Sequence, residues 1–314
     1  MKEHSLLAEP THSVWDRTLE PRLHIEPGDE VQIECEDASG GQVKPGMSTE
    51  AYLQIDRTRI HALTGPIWVE GAEPGDVLEV DVLATRHSGW GWTSTIEGLG
   101  FLKERFHDPY LFHWMLEGEE TRSLVPAVVP LRPFLGVMGV ARAEDGRFRT
   151  RPPGPFGGNM DVRELCAGSK LYLPVFVPGA LFSCGDGHAA QGDGEVCING
   201  IECPLDVTLG FRLHKQQSLS GPLVEASEAV APDVRGDAWV VVETGTELEA
   251  TARAATNRMI DLLMSRWKMS EVHAYLLCSV AMNLQLSQVV NEPVHTVTAR
   301  ISKRTLPARE LFGA

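Results

Sequence analysis

The chain has 314 residues, of which 43% are hydrophobic and 23% charged, and its formal net charge is −15 at pH 7. This length provides one large or two ordinary domains with a real core, and the composition is that of a globular protein. The acidic excess argues against nucleic acid and anionic membranes as partners, because both bind to basic surfaces.

The sequence shows no targeting or cross-linking feature. No apolar run approaches the roughly 20 residues that span a membrane, and the first residues lack the hydrophobic stretch of a signal peptide. The six cysteines form no C-x-x-C pair, which in a chain of this size argues against a zinc knuckle or a disulfide framework. We therefore expect a cytoplasmic protein whose cysteines are reduced thiols.

The first two thirds of the chain alternate short apolar runs with Gly and Pro, a pattern typical of strands joined by turns. Two of these runs directly follow a Pro-Gly-Asp turn, which is common in β-sandwiches and barrels. The predicted strands include Val31–Cys35, Ile67–Glu70, Val77–Leu83, Leu171–Val177 and Val207–Leu213.

The last third begins with a helical pattern. Apolar residues recur at the helical period from Leu248 to about Trp267, which predicts one amphipathic helix. Thr246 and Glu249 have the spacing of a capping box, so we expect them to satisfy the free amides at the start of this helix.

A second helix and a hairpin are predicted to complete the chain. The helix covers about Glu271–Ala281, and the hairpin strands are Leu284–Val290 and Val294–Ile301. The fold class is therefore mainly β, sandwich-like, with a smaller α+β portion. We expect a β-rich domain over 1–230 that carries the active-site loops, with 231–314 packed on it or integrated into it.

Two glycine-rich segments contain the residue types that carry chemistry. The first places Asn159 and Asp161 after two glycines, and the second reads LFSCGDGHAAQGDGEV from 181 to 196. Ordering a glycine-rich loop is costly in conformational entropy, so a functional site explains these segments better than turns do. The Asp-x-His at Asp186 and His188 brings a carboxylate and an imidazole towards one cation.

Several candidates also have a structural reading. Asp193, between two glycines, is the member best explained as a turn residue. His12 and His61 either face the same pocket or are hydrogen-bonded loop histidines. Cys184 is either a thiolate nucleophile activated by His188 or a small buried residue at a strand end.

Five long segments, in order along nearly the whole chain, resemble the acetamidase/formamidase family. Cys197–Glu202 departs from the family's usual form, which has small residues before the Glu. This difference bears on the size of the substrate pocket and so on the choice of substrate. The matching segments read HALTGPIWVEGAEPGDVLEVDV, PPGPFGGNMDVREL, LYLPVFVPGALFSCGDGHAAQGDGEV, VETGTELEATARAATNRMIDLL and AYLLCSVAMNLQLSQVVN.

The resemblance implies a largely β fold, hydrolysis of short aliphatic amides such as formamide and acetamide, a divalent metal ion in the site, and a homo-oligomer, in particular a dimer. Zinc is the first expectation for the metal, with calcium or manganese as alternatives. The residues at positions that match the family motifs are Asn159, Asp161, Asp186, His188, Gln191 and Glu195.

We predict that Asp161, Asp186 and His188 bind the metal ion, which lowers the pKa of water and polarises the amide carbonyl. The other predicted catalytic residues are Glu195 as general acid–base, Asn159 and Gln191 as groups that hold the amide, and His61. Two alternatives remain open: an acyl-enzyme on Cys184, and a non-catalytic protein that binds a small amide or a metal.

Overall fold

Strands dominate the structure, as the apolar runs predict. The computed structural model describes residues 1–100, 103, 106–124, 128–226, 237–269, 271, 274, 282–303 and 306. In these residues the strands are β1 (Glu3–Leu6), β2 (Val14–Trp15), β3 (Leu23–Ile25), β4 (Glu30–Cys35), β5 (Leu63–Val69), β6 (Val77–His87), β7 (Trp90–Thr95), β8 (Tyr110–Met115), β9 (Glu120–Thr121), β10 (Val129–Pro130), β11 (Phe134–Gly139), β12 (Phe148–Arg149), β13 (Gly157–Asn159), β14 (Lys170–Pro174), β15 (Phe182–His188), β16 (Leu205–His214), β17 (Leu223–Ala226), β18 (Ala238–Gly245), β19 (Met282–Gln288) and β20 (His295–Ser302).

Two large sheets organise these strands. The first has nine strands in the order β1-β4-β16-β6-β14-β17-β18-β20-β19, and the second has five in the order β13-β11-β15-β5-β3. Antiparallel pairing predominates, although β1 pairs with β4, and β3 with β5, in parallel. The short pairs β7-β8, β9-β10 and β2-β12 lie outside these sheets.

The main hydrophobic core lies between the two sheets. Ile33 of β4 and Phe211 of β16 come from the nine-stranded sheet, while Ile67 of β5 and Phe182 of β15 come from the five-stranded sheet. The rings of Phe182 and Phe211 meet edge-to-face with centroids 5.3 Å apart. Because each strand alternates its side chains between two faces, this shared core makes the fold a sandwich. The predicted mainly β class is confirmed.

The predicted turns have the expected chemistry. Gly28 and Gly75 have φ angles of 101° and 95°, a region that glycine adopts without steric cost. The side chain of Asp29 accepts a hydrogen bond from the amide of Glu26, and the side chain of Asp76 accepts one from Glu73. These turns begin β4 and β6, the strands that the sequence placed there.

The C-terminal part extends the large sheet. Helix α2 (Leu248–Trp267) follows β18, and Met259 and Leu263 pack on Val241 and Val297 of the nine-stranded sheet. The predicted hairpin is present as β19 and β20. The second predicted helix, about residues 271–281, lies almost wholly outside the described residues. The division at residue 230 stays a prediction.

The predicted capping box of α2 is wrong. Strand β18 continues to Gly245, so the helix begins after Glu247, which is the N-cap and makes no side-chain capping bond. Thr251 Oγ1 donates instead to the carbonyl of Glu247 at 2.8 Å. Two short helical segments precede β5, namely α1 (Thr49–Tyr52) and a 3₁₀ turn (Arg57–Arg59). No helix of the described residues is long and apolar enough to cross a membrane.

Candidate active site

The five-stranded sheet brings the two glycine-rich segments together. Strand β11 lies between β13 and β15, and it pairs with Asn159 on one side and with His188 on the other. Asp161 follows β13 directly, while Asp186 lies in β15. Ligand atoms of Asp161, Asp186 and His188 all lie within 4.8 Å of one another. The three residues predicted to share a metal ion are thus close enough to do so.

The glycines of Cys-Gly-Asp-Gly-His serve strand pairing rather than a mobile loop, which corrects the expectation from the sequence. A Cβ on Gly185 would lie 2.4 Å from the carbonyl oxygen of Ala62, and one on Gly187 would lie 2.2 Å from that of Cys203. Glycine therefore allows the backbone at Ala62 and the backbone at Cys203 to approach β15 closely. The segment is a strand paired with β11 and β5, and this pairing positions its polar side chains.

Three acidic residues of the cluster have left-handed backbone conformations. The φ angles are 51° at Asp161, 60° at Asp186 and 48° at Glu195. Residues other than glycine rarely adopt this region, and where they do so the conformation is often part of a functional site. All three side chains are 6% exposed or less. These unfavourable backbone conformations turn the three carboxyl groups towards the interior.

Buried polar atoms of this cluster lack hydrogen-bond partners. They are Asn159 Oδ1, Asp161 Oδ1, Asp186 Oδ1 and Glu195 Oε2. His188 Nε2 faces carboxylate oxygens, with Glu202 Oε1 at 3.1 Å and Asp186 Oδ1 at 3.5 Å. A buried polar group without a partner costs free energy, and native proteins rarely leave several together. A mixed set of carboxylate and imidazole donors suits zinc, and the oxygen donors alone also suit manganese and calcium. The donor set therefore fits a divalent cation.

The electrostatics of the cluster support the same fit. Burial and the charge of Asp186 raise the pKa of Asp161 to about 7. Burial also raises the pKa of Glu202 to about 8. The pKa of Asp186 falls to about 2 despite burial, because His61 and His188 favour its charged form. The pKa values of the acids are pushed in opposite directions, which is characteristic of functional sites.

Gln191 fixes the orientation of His188. Its Oε1 lies 2.8 Å from His188 Nδ1, and its Nε2 donates to the carbonyls of Asp161 and Ser287 at 3.0 and 3.3 Å. Because Oε1 can only accept, Nδ1 carries the proton and Nε2 is turned towards the acids. The sequence predicts that Gln191 holds the amide substrate. In the structure both ends of its side-chain amide bond to other protein groups instead.

We expect Gln191→Leu to lower metal affinity and kcat/KM by about 10- to 100-fold, the usual effect of removing a group that orients a metal-binding histidine. A titration of the purified protein with zinc, read by competition with a chromophoric chelator, measures the first quantity. Gln191→Glu, which keeps an acceptor for Nδ1, should lose less. Equal metal affinity in wild type and the Leu variant would contradict this role.

His61 and Asn159 line the same cavity as the acids. His61 Nε2 lies 3.9 Å from Asp186 Oδ2, and burial lowers the pKa of this histidine. Its Nδ1 is 3.3 Å from Thr150 Oγ1. Asn159 is 1% exposed. Both predicted residues are therefore positioned to contact a molecule in the cavity.

Glu202 and Asn291 contact residues of the cluster and were not predicted from the sequence. Glu202, which is 2% exposed, places Oε1 3.1 Å from His188 Nε2. Asn291, in the turn of the C-terminal hairpin, donates from Nδ2 to Asp161 Oδ2 at 2.6 Å. The sequence offers one signal for Glu202, namely an acid between the apolar residues Ile201 and Cys203. Nothing local distinguishes Asn291 from an ordinary turn residue.

The structure places the remaining candidates elsewhere. His12 bonds Ser183 Oγ and the carbonyl of Val14, and burial lowers its pKa to about 4. Asp193 contacts Gln285 at the surface. Cys184 lies in the core between the sheets, with its Sγ 3.8 Å from that of Cys35. His12 and Cys184 thus have the contacts expected from their structural readings, and Asp193 lies outside the acid cluster.

The cavity beside the cluster is small. Its volume is about 60 Å³, and by the same measure one water molecule needs about 10–15 Å³. Trp92, Ile60 and Ile198 contribute apolar surface next to the acids. The cavity therefore has room for a few water molecules or one small organic molecule.

Comparison with known proteins gives a consistent result. The sequence matches the Acetamidase/Formamidase family over residues 2–147 and 142–306. The chain belongs to this family. It is 32% identical to a formamidase from Methylophilus methylotrophus over 69% of this chain and 68% of that protein. It is also 32% identical to an acetamidase from Mycolicibacterium smegmatis, over 62% of this chain and 63% of that one.

Solved structures support the assignment to the acetamidase/formamidase family. The crystal structure of an acetamidase from Bacillus halodurans superimposes with a TM-score of 0.88 at 32% identity, and the match covers 96% of this chain and 97% of that one. The resemblance drawn from the sequence is confirmed, and with it the enzyme class, an amidohydrolase.

Proposed function

We propose that this protein hydrolyses short linear amides, with formamide and acetamide as the reference substrates, to a carboxylate and ammonia. The observation that carries the proposal is the convergence of the buried carboxyl groups of Asp161, Asp186 and Glu195 on one small cavity. A ligand atom of His188 lies within 4.8 Å of those of Asp161 and Asp186. Family membership supports it, since relatives are described as a formamidase and an acetamidase.

The residues that would hold a divalent cation are Asp161, Asp186 and His188, with Glu202 as a further oxygen donor in reach of His188. Such an ion, when bound, lowers the pKa of water to about 7 and polarises a carbonyl, which an unreactive amide requires. Zinc is the first candidate because a mixed carboxylate and imidazole set suits it, and manganese and calcium are the alternatives.

Glu195 is the proposed proton carrier. It is 6% exposed, its Oε2 has no hydrogen-bond partner, and burial together with Asp161 raises its pKa well above the usual value. A carboxylate with a raised pKa is a stronger base than an ordinary carboxylate, which suits it to accept a proton and then return it. In this role Glu195 takes a proton from the attacking water and delivers it to the leaving nitrogen, so that ammonia is released.

Asn159 and His61 are proposed to orient the amide. Both line the cavity, and Asn159 Oδ1 is buried without a partner, so it is available to accept from a substrate NH₂ group. Holding a small substrate in one orientation places its carbonyl carbon next to the attacking water, which lowers the entropic part of the barrier. Gln191 supports this arrangement indirectly, because it orients His188.

Ammonia release from formamide, acetamide, propionamide and urea tests the proposal, with Glu195→Gln as the matched variant. This substitution keeps the shape of the side chain and removes its ability to carry the proton. We expect turnover of at least one short amide by wild type and strong loss in the variant with retained metal binding. Absence of ammonia from every amide would refute the proposed function. Equal turnover by wild type and Glu195→Gln would show that Glu195 is not the proton carrier.

The alternative acyl-enzyme route depends on Cys184. Because its side chain packs in the core against Cys35, we expect Cys184→Ala to keep kcat/KM within about threefold while it lowers the free energy of unfolding by about 1–2 kcal/mol for a small buried truncation. Ammonia release and urea denaturation of the same preparation check the two parts. Loss of turnover in a folded variant would favour the thiol route.

A further inference from the structure

Two arginines line the same cavity as the acid cluster. Arg57 is exposed and lies in the 3₁₀ turn before β5, whereas Arg151 is partly buried and follows β12. A small neutral amide has no charge for a guanidinium to recognise. The presence of two cations at this cavity therefore requires an explanation beyond hydrolysis of formamide or acetamide.

Neither guanidinium is neutralised by direct contact. In the described part of the chain, no carboxylate lies within salt-bridge distance of Arg57 or Arg151. This is unexpected in a chain with 43 acidic residues and 28 Lys and Arg. Arg59, in the same 3₁₀ turn, lies 4.0 Å from a carboxylate oxygen of Glu9.

Arg57 lies against an aromatic ring, and Arg151 is partly buried. The guanidinium of Arg57 lies 5.3 Å from the ring centroid of Tyr52, and the Tyr52 hydroxyl contacts Ser94 Oγ at 2.8 Å. Burial lowers the pKa of Arg151, and so do the positive charges of Arg149 and Arg57, although the charges of Glu195 and Glu292 oppose this shift. A partly desolvated cation in such a position is stabilised by an arriving anion.

We propose that Arg57 and Arg151 bind a carboxylate on the substrate, so that the preferred substrates are short amides that carry a carboxylate a few bonds from the amide group. The planar guanidinium fork matches a carboxylate in geometry as well as in charge. The cavity volume of about 60 Å³ limits the chain between the two groups to a few atoms. This inference rests on the proposed amide hydrolysis and specifies its substrate class.

The wild-type enzyme provides the first test. Ammonia release is measured for oxamate, malonamate and succinamate, each against its neutral diamide, oxamide, malonamide and succinamide. The pairs match in size and differ in charge, and the diamide values are halved because each diamide has two amide groups. We expect kcat/KM for at least one anion to exceed that of its diamide by about tenfold or more, since a charge-assisted contact is gained.

Substitutions test whether Arg57 and Arg151 cause the preference for the anionic substrates. Arg57→Gln and Arg151→Gln are each expected to lower the anion-to-diamide ratio by about tenfold, and Arg59→Gln, the matched control outside the cavity, should keep the wild-type ratio and both rates. Thermal melting confirms that each variant is folded, and exposed Arg57 remains informative if Arg151→Gln is unstable. Diamide hydrolysis without any preference, or a preference that persists in both variants, would overturn this inference alone. Absence of all amide hydrolysis would overturn the proposed function itself.

Discussion

Asp186→Asn is expected to lower kcat/KM for amide hydrolysis by at least about 10³-fold, which corresponds to about 4 kcal/mol. Asn has the same shape as Asp but removes the charge that faces His61 and His188, and it weakens a proposed metal ligand. The pKa of Asp186, lowered to about 2, means that the wild-type group is a carboxylate throughout the neutral range. Ammonia release and elemental analysis measure activity and bound metal in the same preparation.

Asp193→Asn is the matched control for this substitution. Asp193 belongs to the same sequence segment, but it contacts Arg163 and Gln285 near the surface rather than the cluster. Surface ion pairs contribute little to stability, so we expect activity and bound metal within about twofold of wild type. Similar losses in both variants would mean that the segment tolerates no change of charge, and the specific role of Asp186 would be disproved.

Gly136→Ala is expected to reduce kcat/KM by about 10²-fold, although Gly136 carries no functional group. An added Cβ would lie 2.6 Å from both Asp161 Oδ1 and Asp186 Oδ2. One of the two carboxylates must then move, and displacement of a reacting or ligating group by about 1 Å costs about 10²-fold. A crystal structure of the variant together with its kcat/KM tests this, since the methyl group and the displaced carboxylate should both be visible.

Gly192→Ala separates this effect from a general loss of glycine. Gly192 lies in the segment between His188 and Glu195, and a Cβ there would meet no heavy atom within 4 Å. The backbone of Gly192 is not in the left-handed region, so alanine fits without strain. We expect unchanged turnover and equal or slightly higher stability. Full activity in Gly136→Ala would show that the two carboxylates need not approach each other for catalysis.

The mainly β fold follows from local patterns in the sequence. Alternating apolar residues and Pro-Gly-Asp turns identify β4 and β6, and helical periodicity identifies α2 with its observed limits. The capping box at Thr246 does not form, because the preceding strand continues to Gly245 through pairing with β20, a contact far away in sequence. Such long-range pairing leaves no trace in a local motif.

The site is predictable in composition but not in all its contacts. Asp161, Asp186 and His188 do converge, as their residue types indicated. The Gly-Asp-Gly-His segment has the composition of a loop, yet it is a strand, because Ala62 and Cys203 approach its glycines too closely for any side chain. Asn291 reaches Asp161 from 130 positions away in sequence, so only the folded structure brings this contact to light.

Metal removal tests the account most directly, because the buried acid–imidazole cluster is proposed to act through a divalent cation. The purified protein is treated with chelator, its metal content is determined by elemental analysis, and ammonia release from acetamide and formamide is followed before and after zinc, manganese or calcium is returned. We expect activity to fall in proportion to bound metal and to recover with at least one of these ions. Undiminished hydrolysis by protein verified as metal-free would contradict the account.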